Sequence, residues 1–297
     1  MRSLLFANDT KYAHESTVSD SFVRDGRYGA DQNARMHESL FASRCAVSNY
    51  YNREAIALWE KYAEGNPDWQ WMSRMPMLRP EFVMRPDILF VGVNPSFSED
   101  AAKKFDRKHS FDGSVIRWDA GSTNEDVAKR VKLLVDAERT AREDYRVYYA
   151  QFERFQDQVK EGCSTEHLDV FLLRHTSQSE VLGSLWASPK VKRGEERPPK
   201  QLSDFGAALF RLFLDTLQCL QPKTVLVANA RAAEIATKTL ALETKDGRVY
   251  RSKAVPDVAF FLSGMLSGAG AMDNHSKARL AADIRDELTR LTALSLS

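Results

Sequence analysis

The sequence predicts an α/β protein, a three-layer α/β/α sandwich on a short four-stranded parallel sheet, carrying a helical and irregular N-terminal extension. Three observations predict it. Four short apolar runs lack the polar alternation of a half-exposed strand, so each reads as a strand covered on both faces. Amphipathic helical stretches alternate with these runs, which is the pattern of parallel strands joined by crossover helices. The 297 residues, 43% of them hydrophobic and 28% charged, suffice to bury a full core.

Residues 1 to about 45 are polar and show no sustained period, as expected of an arm. A helix follows from Arg53 to about Glu64, with Asn52 as its cap, Gly65-Asn66-Pro67 as its stop, and Trp59 and Tyr62 on one face. The division expected is an N-terminal extension over 1–80, packed on a core domain over 81–297.

The first strand lies in "DILFVGVNPSFS", Asp87 to Ser98. A helical stretch from about Asn124 to Lys160 places Tyr145, Tyr148, Phe152, Phe155 and Val159 at steps of three and four, as core-packing residues. The second strand is Leu168 to Leu173 in "HLDVFLLRHTSQ", the third Thr224 to Ala228 in "PKTVLVANA", and the fourth Val258 to Leu262 in "PDVAFFLSG". Helices are expected from about Ser203 to Leu220, Ala230 to Leu242, and His275 to Leu294.

Charge and cysteine usage exclude some classes. Forty-two Lys and Arg balance forty-one Asp and Glu, so any nucleic-acid surface must be local. The three cysteines, Cys45, Cys163 and Cys219, are too few for a four-cysteine zinc or iron-sulfur site, and no cofactor or metal is expected. The opening MRSLLFANDTK holds too short an apolar run for a signal peptide, and no later stretch is long enough to span a membrane. A cytoplasmic monomer without a membrane partner is the expectation.

In a parallel sheet, Asn94, Arg174, His175, Asn229 and Ser263 all fall just past the carboxyl ends of strands, the rim where such sheets bind ligands. Pro95 fixes the turn after the first strand and holds the Asn94 amide at that rim. The loop "SGMLSGAGAMDNHSKAR" brings Gly264, Gly268 and Gly270 to the start of the final helix, whose first turns carry His275, Lys277 and Arg279. Those cations oppose the helix dipole, so glycines, free backbone donors and positive charge together suit an anion such as a phosphodiester. "PKVKRGEERPPK" and "KKFDRKH" are further basic loops able to line a nucleic-acid groove.

In order and spacing, "LFVGVNPS", "DVFLLRHTSQ", "TVLVANA" and "FFLSGMLSG" resemble the uracil-DNA glycosylase superfamily, from about Pro86 to the carboxyl end. Gly92-Val93-Asn94-Pro95 is similar to the Gly-Ile-Asn-Pro-Gly segment of the mismatch-specific thymine/uracil branch. The resemblance implies a DNA partner, a monofunctional N-glycosylase, and Asn94 as the residue that orients water. It also implies a base pocket of Gly92, Pro95, Ser96, Phe97 and Phe111, with Phe97, Phe105 or Phe111 stacking on the flipped base. Backbone contacts would come from Ser267, Gly268, His275, Lys277 and Arg279.

This sequence departs from the family pattern at three points. Ser96 replaces a glycine, Arg174-His175 stand where a base-reading asparagine is usual, and Ser263-Gly264-Met265 stand for His-Pro-Ser. The expectation is therefore a wider pocket in which Arg174 and His175 donate hydrogen bonds, His175 to the departing base. Such a pocket suits a bulky base, such as the glucosylated hydroxymethylcytosine of some phage genomes, and an antiviral role would follow. Rival readings are a non-catalytic reader of modified bases and a nucleoside or nucleotide hydrolase on the same sheet.

Overall fold

The computed structural model describes residues 44–63, 74–95, 103–104, 107–108, 118, 124–144, 146–175, 177–188, 199–266 and 271–294. In chain order its elements are α1 (Arg44–Ala63), β1 (Ile88–Gly92), α2 (Asn124–Asp144), α3 (Arg146–Val159), β2 (Thr165–Asp169), α4 (Gln178–Leu185), β3 (Trp186–Ala187) and β4 (Gln201–Leu202). There follow α5 (Asp204–Leu220), β5 (Thr224–Val227), α6 (Ala230–Thr239), β6 (Glu243–Thr244), β7 (Tyr250–Ser252), β8 (Val255–Leu262) and α7 (Asn274–Leu294).

The central sheet runs β2-β1-β5-β8-β7-β6. Its first four strands are mutually parallel, as the apolar runs require, while β7 and β6 extend it in antiparallel fashion. The expected four strands are thus the parallel part of a six-stranded sheet. A separate two-stranded ribbon pairs β3 with β4.

Each strand of the parallel part feeds two cores, because neighbouring side chains point to opposite faces. Leu89 and Val91 face a layer built from α1, α5 and α6, where Tyr51, Trp59, Leu209, Phe213 and Ile235 are buried. Ile88 and Phe90 face α3 and α7, with Phe152, Phe155, Val159, Ile284 and Leu288. This two-sided covering makes the α/β/α sandwich. Burial of each such side chain contributes about 1.5–3 kcal/mol, so the sheet is the most stable place on which to mount a site.

Three expectations are corrected in detail. Asn52 is no cap: α1 begins at Arg44, and Asn52 lies buried inside it, its amide donating to Arg79 O at 2.9 Å and accepting from Arg79 N at 2.8 Å. The side chain there imitates a strand edge and ties α1 to the segment before β1. The helical stretch expected over 124–160 is described as α2 up to Asp144 and α3 from Arg146, with Tyr145 between them outside the described residues. β2 begins and ends earlier than its apolar run, because Glu166 and His167 are held inside: Glu166 pairs with Arg79, and His167 stacks on Phe90 at 4.9 Å. The helix expected to Leu242 ends at Thr239.

Among the described residues no helix is long and apolar enough to cross a membrane.

Candidate active site at the carboxyl rim of β1 and β2

Past the end of β2 the chain stays beside the end of β1. Val170 N donates to Gly92 O at 3.0 Å, Phe171 N to Val93 O at 2.8 Å, and His175 N to Pro95 O at 3.3 Å. Residues 170–175 therefore form one wall beside the Asn94-Pro95 turn. Into that wall the Asn94 amide is set. Its Nδ2 donates towards Leu173 O at 3.1 Å, His175 O at 2.8 Å and Pro95 O at 3.1 Å.

Three carbonyls around one nitrogen determine which way the amide faces, since the flipped form would press oxygen against oxygen. The consequence falls on Oδ1. It is buried, in a residue 8% exposed, and among the described residues it accepts no hydrogen bond. An orphaned buried acceptor costs about 1–3 kcal/mol, so Oδ1 is poised to accept from an incoming donor. A water molecule is such a donor.

Asp169, the last residue of β2, pairs in register with Gly92, the last of β1. Sequence reasoning missed it, reading it as part of an apolar run. Gly92 explains its placement: a Cβ there would stand 2.3 Å from Asp169 Oδ1, so the carboxylate occupies the space that the absent side chain leaves. Burial pushes its pKa up, and Arg79 pulls it back only in part, leaving it at about 7. Arg79 itself is committed to Glu166, whose other oxygen accepts from Val83 N at 2.8 Å. A cavity lies here, lined by Tyr51, Arg79, Pro95, Leu168, Asp169 and Leu172. The signal that could have revealed Asp169 is an acid inside an apolar run, opposite a glycine.

Arg174 and His175 reach the rim, as expected, but not as open donors. The Arg174 guanidinium donates to Met75 O at 3.2 Å and Pro76 O at 3.5 Å, and pairs with Glu138 of α2. Burial lowers its pKa to about 10, so it is a brace between three segments. His175 Nδ1 accepts from Ser177 N at 2.9 Å, and its Nε2 lies 3.5 Å from Glu180 of α4. Asn229 is the N-cap of α6, its Oδ1 accepting from Arg231 N and Ala232 N, a structural assignment.

Ser263 follows β8, with its N on Val227 O at 3.0 Å and its hydroxyl on Gly264 O at 2.9 Å. Gly264 lies against Met272, where a Cβ would meet Cγ at 3.3 Å. The loop is closed at its base by Met272 N on Met265 O at 2.8 Å. His275 and Arg279 stand exposed in the first turns of α7, with Lys277 half-buried between them. Ser96, Phe97, Phe105, Phe111, Ser267, Gly268 and Gly270, with most of both basic loops, lie outside the described residues.

Compared with protein-family models and with curated protein sequences, the chain matches none.

Proposed function

We propose that the protein is a monofunctional DNA glycosylase, hydrolysing the N-glycosidic bond of a base extruded from the duplex to leave an abasic site. The observation that carries the reading is the Asn94 amide, with its nitrogen saturated by carbonyls and its oxygen left as an unshared acceptor at the carboxyl rim of the sheet. In such a reaction water attacks C1′, the bond from C1′ to the base nitrogen breaks, and the base departs with the electron pair. Asn94 Oδ1 accepts one water hydrogen and so aims a lone pair at the sugar carbon. Positioning of this kind supplies several kcal/mol of a barrier.

The identity of the base follows less directly. The Arg174 donors, on which the expectation of a bulky oxygen-rich base rested, are engaged within the fold, and His175 Nε2 lies beside Glu180, its Nδ1 being an acceptor. A glucosylated hydroxymethylcytosine remains the substrate proposed from the small residues Ser263 and Gly264, with an antiviral role attached to it. The test incubates the purified protein with glucosylated phage DNA, matched unmodified DNA and a uracil duplex, and reads abasic sites by strand cleavage. Abasic sites in the glucosylated DNA, and their loss with Asn94→Ala, are expected. Sites with uracil alone would overturn the substrate and keep the activity. Binding without base release from any of them would overturn the activity and leave a reader of modified bases.

A further inference from the structure

We propose that Asp169 is the proton acceptor of this reaction, taking the proton of the water that Asn94 orients. The inference rests on the glycosylase reading and adds the group that reading lacks. A neutral amide can aim water but cannot take its proton, so hydrolysis at C1′ leaves one proton without a destination. The carboxylate supplies it. As the C1′–O bond forms and the glycosidic bond breaks, the water proton passes to an Asp169 oxygen, and the electron pair of the broken bond leaves with the base.

Four observations place Asp169 in this role. It ends β2 in register with Gly92, so it stands on the strand beside the one that leads, two residues later, into Asn94. The niche it fills exists because position 92 has no side chain, with 2.3 Å between a would-be Cβ and the carboxylate. A cavity of about 10 Å³, room for roughly one water, is lined by both Asp169 and Pro95 of the Asn94-Pro95 turn. Its oxygens receive no hydrogen bond from another described residue, although an arginine lies close enough to be felt.

The surrounding charges are otherwise paired off. Arg79, on the segment before β1, is held by Glu166 of β2, and Arg174 by Glu138 of α2. Tyr51 of α1 is buried and its pKa is raised by that burial, so it stays neutral near pH 7. The remaining titratable neighbour on the strand, His167, is packed among Phe90, Tyr149 and Phe152. Burial brings the Asp169 carboxyl to about 7, the range in which a general base acts best.

The experiment measures base release between pH 5 and 9 for the unaltered protein, Asp169→Asn and Gly92→Ala, with thermal unfolding of each at pH 4 and pH 8. The unaltered protein is expected to gain activity as pH rises, with a midpoint near 7. Asp169→Asn should lose this limb and, at pH 8, on the order of a hundredfold in rate. Gly92→Ala, whose methyl group displaces the carboxylate, should resemble it. Asp169→Asn should also unfold at a higher temperature at pH 8 and not at pH 4, because it removes a buried charge; an acid kept for structure would give a loss.

An Asp169→Asn protein that keeps both limb and rate would overturn the assignment and leave the glycosylase reading standing. An unaltered protein that releases no base at any pH would remove both. A loss of rate joined to a loss of stability at pH 8 would return Asp169 to a structural role.

Discussion

β1 and β2 run side by side for five residues, and an aspartate stands at each end of the pair. At the amino end, Asp87 accepts from Lys223 Nζ at 2.7 Å, from Ser164 N at 2.8 Å and from Ser164 Oγ at 3.1 Å. Burial alone would raise its pKa, but these donors outweigh it and hold the carboxyl below the usual range. At the carboxyl end, Asp169 has no such donors among the described residues, and burial carries its pKa up to about 7. Three strands meet at Asp87, whose own carbonyl also accepts from Thr224 Oγ1 at 2.7 Å. One end of the sheet is satisfied and the other holds unspent acceptors, Asn94 Oδ1 and the Asp169 carboxylate. Polar groups at the amino end stabilise the fold, and those at the carboxyl end cost it stability, as expected if they serve the proposed reaction.

The contrast is sharpest in activity. Asn94→Ala should retain the fold and DNA binding and lose base release by on the order of a hundredfold or more, the effect of removing a group that positions a nucleophile. Asp87→Ala should leave the rate unchanged. Comparable losses in both variants, measured under conditions where each is folded, would erase the distinction between the ends.

Stability should show the reverse pattern. Removing the Asp87 carboxylate releases Ser164 N and Lys223 Nζ to water, a loss of about 1 kcal/mol read from denaturant midpoints at pH 7. Because its folded pKa lies below the unfolded one, the stability it contributes is present above about pH 4 and disappears as pH falls through the folded value. Asp169 has the opposite sign. Its folded pKa lies above the unfolded one, so the folded state is favoured while the group is protonated, and stability declines as pH rises towards 7. Asp169→Asn should therefore gain a few degrees at pH 8. A gain at pH 4 as well would mean that something other than the buried charge changed.

Much of this fold can be read locally in the sequence. Buried runs such as Ile88–Gly92 are visible because each residue is apolar, and α5 because Ser203 caps it at Gly206 N, 3.2 Å away, just before Phe205, Leu209 and Leu212. β6 and β7 escape notice, being two and three residues long with no periodicity to show. The start of β2 escapes for a different reason. Thr165-Glu166-His167 is polar by composition and buried by partners, Arg79 and Phe90, that come from elsewhere in the chain. The site divides in the same way. Asn94 is legible because Asn-Pro after a buried strand is a local signal. Asp169 is not, because its niche depends on strand register with Gly92, which no local pattern carries. Arg174 is visible at the rim, yet the direction of its side chain is set by Glu138 and Met75, both far away in sequence.

The smallest effect expected concerns the start of α7, the other part of the carboxyl rim. There the sequence places cations where a helix dipole prefers acids. The structure supplies the missing acid one position earlier: Asp273 accepts from Ser276 N at 2.9 Å and from Ser276 Oγ at 2.7 Å, as an N-cap does. With the cap in place, Lys277 and Arg279 are not needed to end the helix, and among the described residues neither forms a salt bridge. Cations left without a partner beside a rim suit the phosphates of a duplex. Changing both to Ala should weaken DNA binding equally for all sequences and reduce the slope of log K against log salt by about 2, close to one counterion for each phosphate that the variant no longer neutralises. Unfolding temperature should barely move, since surface charges away from a cap contribute little. Asp273→Ala should do the opposite, lowering the unfolding temperature and leaving the salt slope in place. A slope unchanged by the double substitution would make the start of α7 a capped helix end with solvated charges.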